Sequence, residues 1–209
     1  MNGTIIMKKR LYIFDMGGVV CSNVDVMPDV ARSLGLSYKA FISAAKPLQD
    51  ELSDGLITPE EFWSEFSART GIEVAGDPFA EFFRPVVEHA MVRFIERLKA
   101  GVRVVCGTNT YDCHYRIHSE RRDYDVFERV YASHLMHISK PDPGFYRRIL
   151  EAEGVDPTDA VFVDDREENV SAARSLGIDS FLFTDAARLE ADLRQAGILN
   201  GAAKRSTDP

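Results

Sequence analysis

The stretch YIFDMGGVV, residues 12–20, decides the fold. The apolar residues Leu11 to Phe14 run into Asp15, and two glycines follow. This is the pattern of a buried strand that ends in a carboxylate on a tight turn. Three later stretches share the form: VRVVCGT (102–108), AVFVDD (160–165) and DSFLFT (179–184). RVYAS (129–133) is a shorter version. Between them lie helical patterns, AMVRFIERLKAG (90–101), PGFYRRILEAEG (143–154) and EENVSAARSLG (167–177). Strands alternating with helices predict an α/β fold, a Rossmann-like parallel sheet with helices on both faces.

Residues 22–88 break this rhythm. No strand is predicted there. SYKAFISAAK (37–46) reads as helix. In TPEEFWSEFSARTG (58–71), Thr58 is placed as N-cap, Pro59 opens the helix and Glu61 closes a capping box. DPFAEFF (77–83) starts another helix. Phe62, Trp63 and Phe66 have helical spacing and are read as the core of this segment. The expected organisation is therefore a core of residues 1–21 and 89–209, interrupted after its first strand by an all-helical cap over 22–88. The tail NGAAKRSTDP (200–209) is expected to fray.

Composition narrows the function. The 209 residues are 45% hydrophobic, enough for one core domain with an insert. The formal charge of −8 argues against nucleic acid as partner. The three cysteines, Cys21, Cys106 and Cys113, are odd in number and lack metal-site spacing, which fits a reducing, cytoplasmic setting. The apolar run after Lys8-Lys9-Arg10 is too short for a signal peptide, and no stretch is long enough for a membrane span.

In open parallel sheets, ligands bind at the carboxyl ends of the strands. Those ends carry Asp15, then Thr108 and Asn109, then Asp164 and Asp165. Lys140, in HISKPDPGFY, precedes a helix that Pro143 begins. Carboxylates so placed suit Mg²⁺, a hard cation with oxygen ligands. Asp15 would attack phosphorus, while Lys140 and the Thr108 hydroxyl hold the phosphate oxygens. The glycines after Asp15, Gly18 among them, let backbone N–H groups approach the phosphate. His114 and His118 have i, i+4 spacing, but no third metal ligand is evident. His134 and His137 are read as loop residues, and ERRDYD (120–125) as a solvated turn.

The ordered motifs FDMGGV, GTN, SKPD and VFVDD resemble those of the haloacid dehalogenase-like superfamily, and the helical insert resembles its C1-type cap. Within it the chain is most similar to the bacterial alpha-D-glucose-1-phosphate phosphatase group. That group has glycine two places after the nucleophile, and Thr108-Asn109-Thr110, His114 and Asp164-Asp165 match its further motifs. DGLITPEEF (54–62) resembles its cap. The resemblance implies Asp15 as nucleophile and metal ligand, with the Gly17 carbonyl and Asp165 as further ligands and Asp164 binding directly or through water. It places Thr108 and Lys140 on the phosphate, and Gly18, Asn109 and His114 around the substrate. The implied enzyme is a Mg²⁺-dependent phosphatase of a small phosphorylated metabolite, a sugar phosphate by this likeness, working as monomer or homodimer. Most phosphatases of the superfamily carry aspartate where this chain has Gly17, and that aspartate protonates the leaving oxygen. The glycine leaves two rival readings open: a dehalogenase-like hydrolase without metal, and a non-catalytic binder of a phosphorylated ligand.

Overall fold

The computed structural model describes residues 9–199, so the tail from 200 lies outside it. In chain order the elements begin with β1 (Leu11–Phe14) and β2 (Cys21–Ser22). Four helices follow: α1 (Met27–Ser33), α2 (Tyr38–Ser53), α3 (Pro59–Thr70) and α4 (Pro78–Phe82). Then come β3 (Val86–Val87), α5 (His89–Lys99), β4 (Arg103–Thr108), α6 (Asp112–Glu120), β5 (Val130–Ala132) and α7 (Ser133–Met136). The chain continues through α8 (Pro143–Glu153), β6 (Ala160–Asp164), α9 (Glu167–Ser175), β7 (Asp179–Leu182) and α10 (Ala186–Gln195).

The five strands expected from sequence form one parallel sheet in the order β5-β4-β1-β6-β7. β1 is central and wholly buried. Its side chains alternate between two cores, as a strand's period of two requires. Tyr12 and Phe14 join Met91, Phe94 and Ile95 of α5 and Leu189 and Leu193 of α10. Leu11 and Ile13 join Phe145, Tyr146 and Ile149 of α8 and Ala173 of α9. Both faces are covered, which is why these strands read as continuous apolar runs. Phe14 stands in register with Cys106 on one side and Val163 on the other, so the carboxyl ends of β1, β4 and β6 share one edge.

The helices between β2 and β3 have their own core, built on Phe41, Phe62, Trp63, Phe66 and Phe79. The capping box is present: the Glu61 N–H donates to the Thr58 hydroxyl (3.1 Å), and the Thr58 N–H donates to the Glu61 carboxylate (2.8 Å). Three expectations need correction here. α2 does not stop near Lys46 but runs through Pro47 to Ser53. Its buried stripe of Phe41, Ala45, Leu48 and Leu52 carries the helix past the one hydrogen bond that proline forfeits. The segment 22–88 is not free of strand, because β3 pairs antiparallel with β2, Cys21 opposite Val87. Two residues are too few to show a period. Finally, His134 lies in helix α7 rather than in a loop, and Tyr124, within the stretch read as a solvated turn, is buried in a 3₁₀ turn over Asp123–Val126.

Candidate active site

Asp15 leaves β1 at the shared edge. Its N–H donates to the Val163 carbonyl (2.9 Å), and one carboxylate oxygen accepts from the Met16 N–H (2.7 Å). The chain then turns back on itself: the N–H groups of Val20 and Cys21 both donate to the Met16 carbonyl (2.9 Å each). Gly18 takes φ +74° in this turn, a conformation that L side chains rarely adopt. Gly17 is not in that region.

Lys140 enters from the loop before α8, and its ammonium is buried between two carboxylates. Nζ lies 2.9 Å from Asp15 and 2.7 Å from Asp164. The loop is held by Asn109, whose amide N–H donates to the Lys140 carbonyl and whose carbonyl accepts from the Lys140 N–H (2.8 Å each). Asn109 therefore serves the site by fixing the lysine. The neighbouring Thr108 hydroxyl is buried and makes one long contact, 3.4 Å to the Asn109 carbonyl, which leaves it free to turn toward a ligand.

Asp164 is fully buried and fully used. One oxygen accepts from the Arg166 N–H and the Asn169 amide (2.9 Å each), the other from Lys140. Asp165, next in the chain, is exposed. Asp15, Asp164 and Asp165 each present an oxygen, all within 4.8 Å of one another. Hard oxygen donors at this spacing fit a hard divalent cation, with Asp165 the least committed of the three.

The electrostatics are consistent with that fit. Burial pushes the Asp15 carboxyl up to about 7, with Asp164 adding to the rise and Lys140 opposing it. Burial alone would lower the Lys140 ammonium, but the two carboxylates outweigh it and hold the group above its ordinary value. Burial and the adjacent Asp164 push Asp165 up as well. Three acids facing one cation leave negative charge that a metal would neutralise.

A cavity of about 770 Å³ opens over this edge. Thr108, Asn109, Lys140 and His114 line it from the sheet side, and Asp25, Gln49, Asp50, Ser53 and Asp54 from the helical segment. Two of these helical-segment residues also bind the sheet side directly. The Ser53 hydroxyl sits 2.9 Å from that of Ser139, and the Asp54 carbonyl accepts from His137 (2.9 Å). His114 is stacked on Phe83 at 3.8 Å and donates from Nε2 to the Phe79 carbonyl (3.0 Å). Burial pushes its imidazole down to about 4, so at neutral pH the ring is neutral and its one proton is held on the Phe79 carbonyl. Its remaining nitrogen is an acceptor. His118, one turn on, points instead to Asp123.

The sequence motifs thus converge at one edge: Asp15, Gly17, Gly18, Thr108, Lys140, Asp164 and Asp165 are neighbours, with Asn109 behind Lys140. Sequence reasoning missed Asn169, which fixes Asp164, and the polar wall from Asp25 to Asp54. Asn169 had a signal, since it stands in the first turn of the helix after VFVDD. The polar wall had none, because its members face the site only through the packing of α1 and α2.

The parallel sheet thus gathers three carboxylates at its strand ends, two of them paired with one buried lysine. The chain belongs to the haloacid dehalogenase-like hydrolase family, whose sequence profile matches residues 9–177. It is 29% identical over 191 residues to a sesquiterpene phosphatase of Aspergillus oryzae, covering 88% of this chain and 94% of that one. It is 26% identical over 204 residues to a chloroplast flavin mononucleotide hydrolase of Arabidopsis thaliana, covering 94% and 82%. Among solved structures, a HAD-family enzyme from Bacteroides thetaiotaomicron in complex with magnesium and inorganic phosphate shares the fold. The TM-score is 0.71 at 24% identity, over 87% of this chain and 98% of the other.

Proposed function

We propose that this chain is a Mg²⁺-dependent phosphatase of small phosphorylated metabolites, with sugar phosphates as the favoured class. The observation that carries the reading is the Lys140 ammonium 2.9 Å from Asp15, with three carboxylates at one strand edge. Asp15 attacks phosphorus as the P–O bond to the substrate alcohol breaks, the alcohol oxygen taking its proton from solvent, and water then cleaves the aspartyl phosphate to release phosphate and free the carboxylate. Asp15, Asp165 and the Gly17 carbonyl would hold the cation, with Asp164 behind them. When bound, Mg²⁺ offsets the repulsion between carboxylate and phosphate. Lys140 opposes the burial that favours protonated Asp15 and orients its carboxylate, and with the Thr108 hydroxyl it holds the phosphate oxygens as charge shifts. The Gly18 N–H, expected from sequence to approach the phosphate, instead donates to the Cys21 carbonyl within the turn (2.8 Å).

The sesquiterpene phosphatase and the flavin mononucleotide hydrolase named above support this reading, and so do the magnesium and phosphate in the Bacteroides enzyme. The sugar assignment rests on the cavity wall. Asp25, Gln49, Asp50, Ser53 and Asp54 offer acceptors suited to hydroxyl groups, which an isoprenoid chain would leave unpaired. Helices α1 to α4 act as the cap that carries this wall and closes over substrate.

A panel of phosphate monoesters assayed with and without Mg²⁺ tests the proposal. Mg²⁺-dependent release of phosphate from sugar phosphates supports it. Metal-independent turnover of 2-haloacids would favour the dehalogenase reading, and no turnover of any ester the non-catalytic one.

A further inference from the structure

The His114–His118 pair does not form a metal site, since His114 is spent on the Phe79 carbonyl. His118 instead meets two residues from elsewhere in the chain. Cys21 of β2, His118 of α6 and Asp123 of the 3₁₀ turn each present a ligand atom, all within 4.8 Å of one another. We propose that Cys21, His118 and Asp123 form a second cation site, selective for a borderline-soft divalent ion such as Zn²⁺.

The donor set decides the ion. One thiol, one imidazole and one carboxylate make a poor set for Mg²⁺ but suit Zn²⁺, with an open fourth position. The spacing decides feasibility. Bonds of about 2.0–2.3 Å in a tetrahedron place ligand atoms about 3.3–3.6 Å apart. The group therefore needs to contract by no more than about 1.5 Å, while His118 Nδ1 and the Asp123 carboxylate move apart from 2.8 Å. Side-chain rotation is enough for both.

A second observation lies beside the cluster. The Tyr124 hydroxyl is buried with no hydrogen-bond partner among the described residues, and its ring centre is 5.2 Å from that of His118. Buried polar groups are rarely left unpaired, and a water in the fourth position would give this hydroxyl a partner. Both residues line the cavity, which provides an entry path.

Two features oppose binding. Burial pushes the Cys21 thiol up to about 12, with Asp123 adding to the rise, so without a cation it is a neutral packing group. A divalent ion reverses that local balance, and the thiol proton leaves to solvent as the sulfur coordinates. Arg121 donates to the Asp123 carboxylate at 2.9 Å, but its side chain is partly exposed and can turn to water. The consequence is local. Cys21 pairs with Val87 in the two-stranded link that leads into and out of the helical segment, and it bridges to Gly17. An ion here ties that link to α6.

The test is zinc titration of the full chain under saturating Mg²⁺, read by competition with a chromogenic chelator. The expected result is one equivalent bound at micromolar affinity or tighter, and a rise in melting temperature. Cys21→Ser and Asp123→Asn, each checked by circular dichroism, should weaken binding at least tenfold. Cys106→Ser, Cys113→Ser and Asp165→Asn should leave it within twofold. Co²⁺ should give a thiolate-to-metal absorption that Cys21→Ser alone removes. The proposal is overturned if folded protein binds no zinc, if folded Cys21→Ser binds as tightly as the parent, or if Asp165→Asn abolishes binding.

Discussion

A methyl group placed on Gly18 would lie 2.1 Å from an Asp165 carboxylate oxygen. The turn after the nucleophile and the carboxylate after β6 are therefore fitted to each other with no room for a side chain. Gly18 also has φ +74°, so any substitution adds roughly 1–2 kcal/mol of backbone strain. Gly18→Ala should displace Asp165 and weaken Mg²⁺ binding at least tenfold while the sheet stays folded. Calorimetry with Mg²⁺ checks this, and unchanged affinity would remove Asp165 from the ligand set.

The two adjacent aspartates should separate by experiment. Asp164 is enclosed by Lys140, Arg166 and Asn169, whereas Asp165 is exposed. Asp164→Asn should chiefly cost stability, about 3–5 kcal/mol, because Lys140 loses one of its two buried partners. Asp165→Asn should chiefly cost Mg²⁺ affinity. Denaturant melts and metal titrations of both variants measure the two effects, and the reverse pattern would exchange the roles.

Metal binding should depend on pH through Asp15. Its carboxyl is pushed up to about 7 in the free protein, so below that pH a proton must leave as the cation arrives. Binding releases protons there, and affinity should rise with pH, by about tenfold per unit, and level off above about 7. Titrations from mildly acidic to mildly alkaline pH show this directly. Affinity independent of pH below 7 would mean that Asp15 is already ionised without metal.

Gly17 lacks the acid that protonates a leaving group, and His114 holds its one proton on the Phe79 carbonyl. Rates should therefore fall steeply as the leaving alcohol becomes less acidic, so that anomeric and aryl phosphates outpace primary alkyl phosphates. Gly17→Asp meets no φ penalty, but its Cβ would sit 3.3 Å from Val24. Paired with Val24→Ala, it should raise kcat/KM for alkyl phosphates more than for aryl ones. A flat dependence in the parent, with chemistry rate-limiting, would mean that another group donates the proton.

The inner strands β1, β4 and β6 were legible because each is an apolar run ending in polar residues, as a strand buried on both faces must be. The site was legible for the same reason: Asp15, Thr108, Asp164 and Asp165 stand where those runs stop. α6 was not legible as a helix, since its buried positions are Cys113, His114 and His118 rather than an apolar stripe. The Asn109–Lys140 clamp and the meeting of Cys21 with His118 and Asp123 are products of tertiary packing, which local pattern does not encode. The helical pattern read over 37–46 also fell short of the true end of α2, whose buried face carries it through Pro47 to Ser53.

In the proposed mechanism Asp15 carries the phosphoryl group during turnover. Acid quench of the enzyme during steady-state hydrolysis of a good substrate, followed by mass spectrometry of its peptides, tests it most directly. One phosphoryl group should appear on the peptide containing Asp15, formed only with Mg²⁺ present and absent from Asp15→Asn, which should lose turnover while keeping its fold. Asp15→Asn activity within tenfold of the parent, or a phosphoryl group trapped on any other residue, would contradict it.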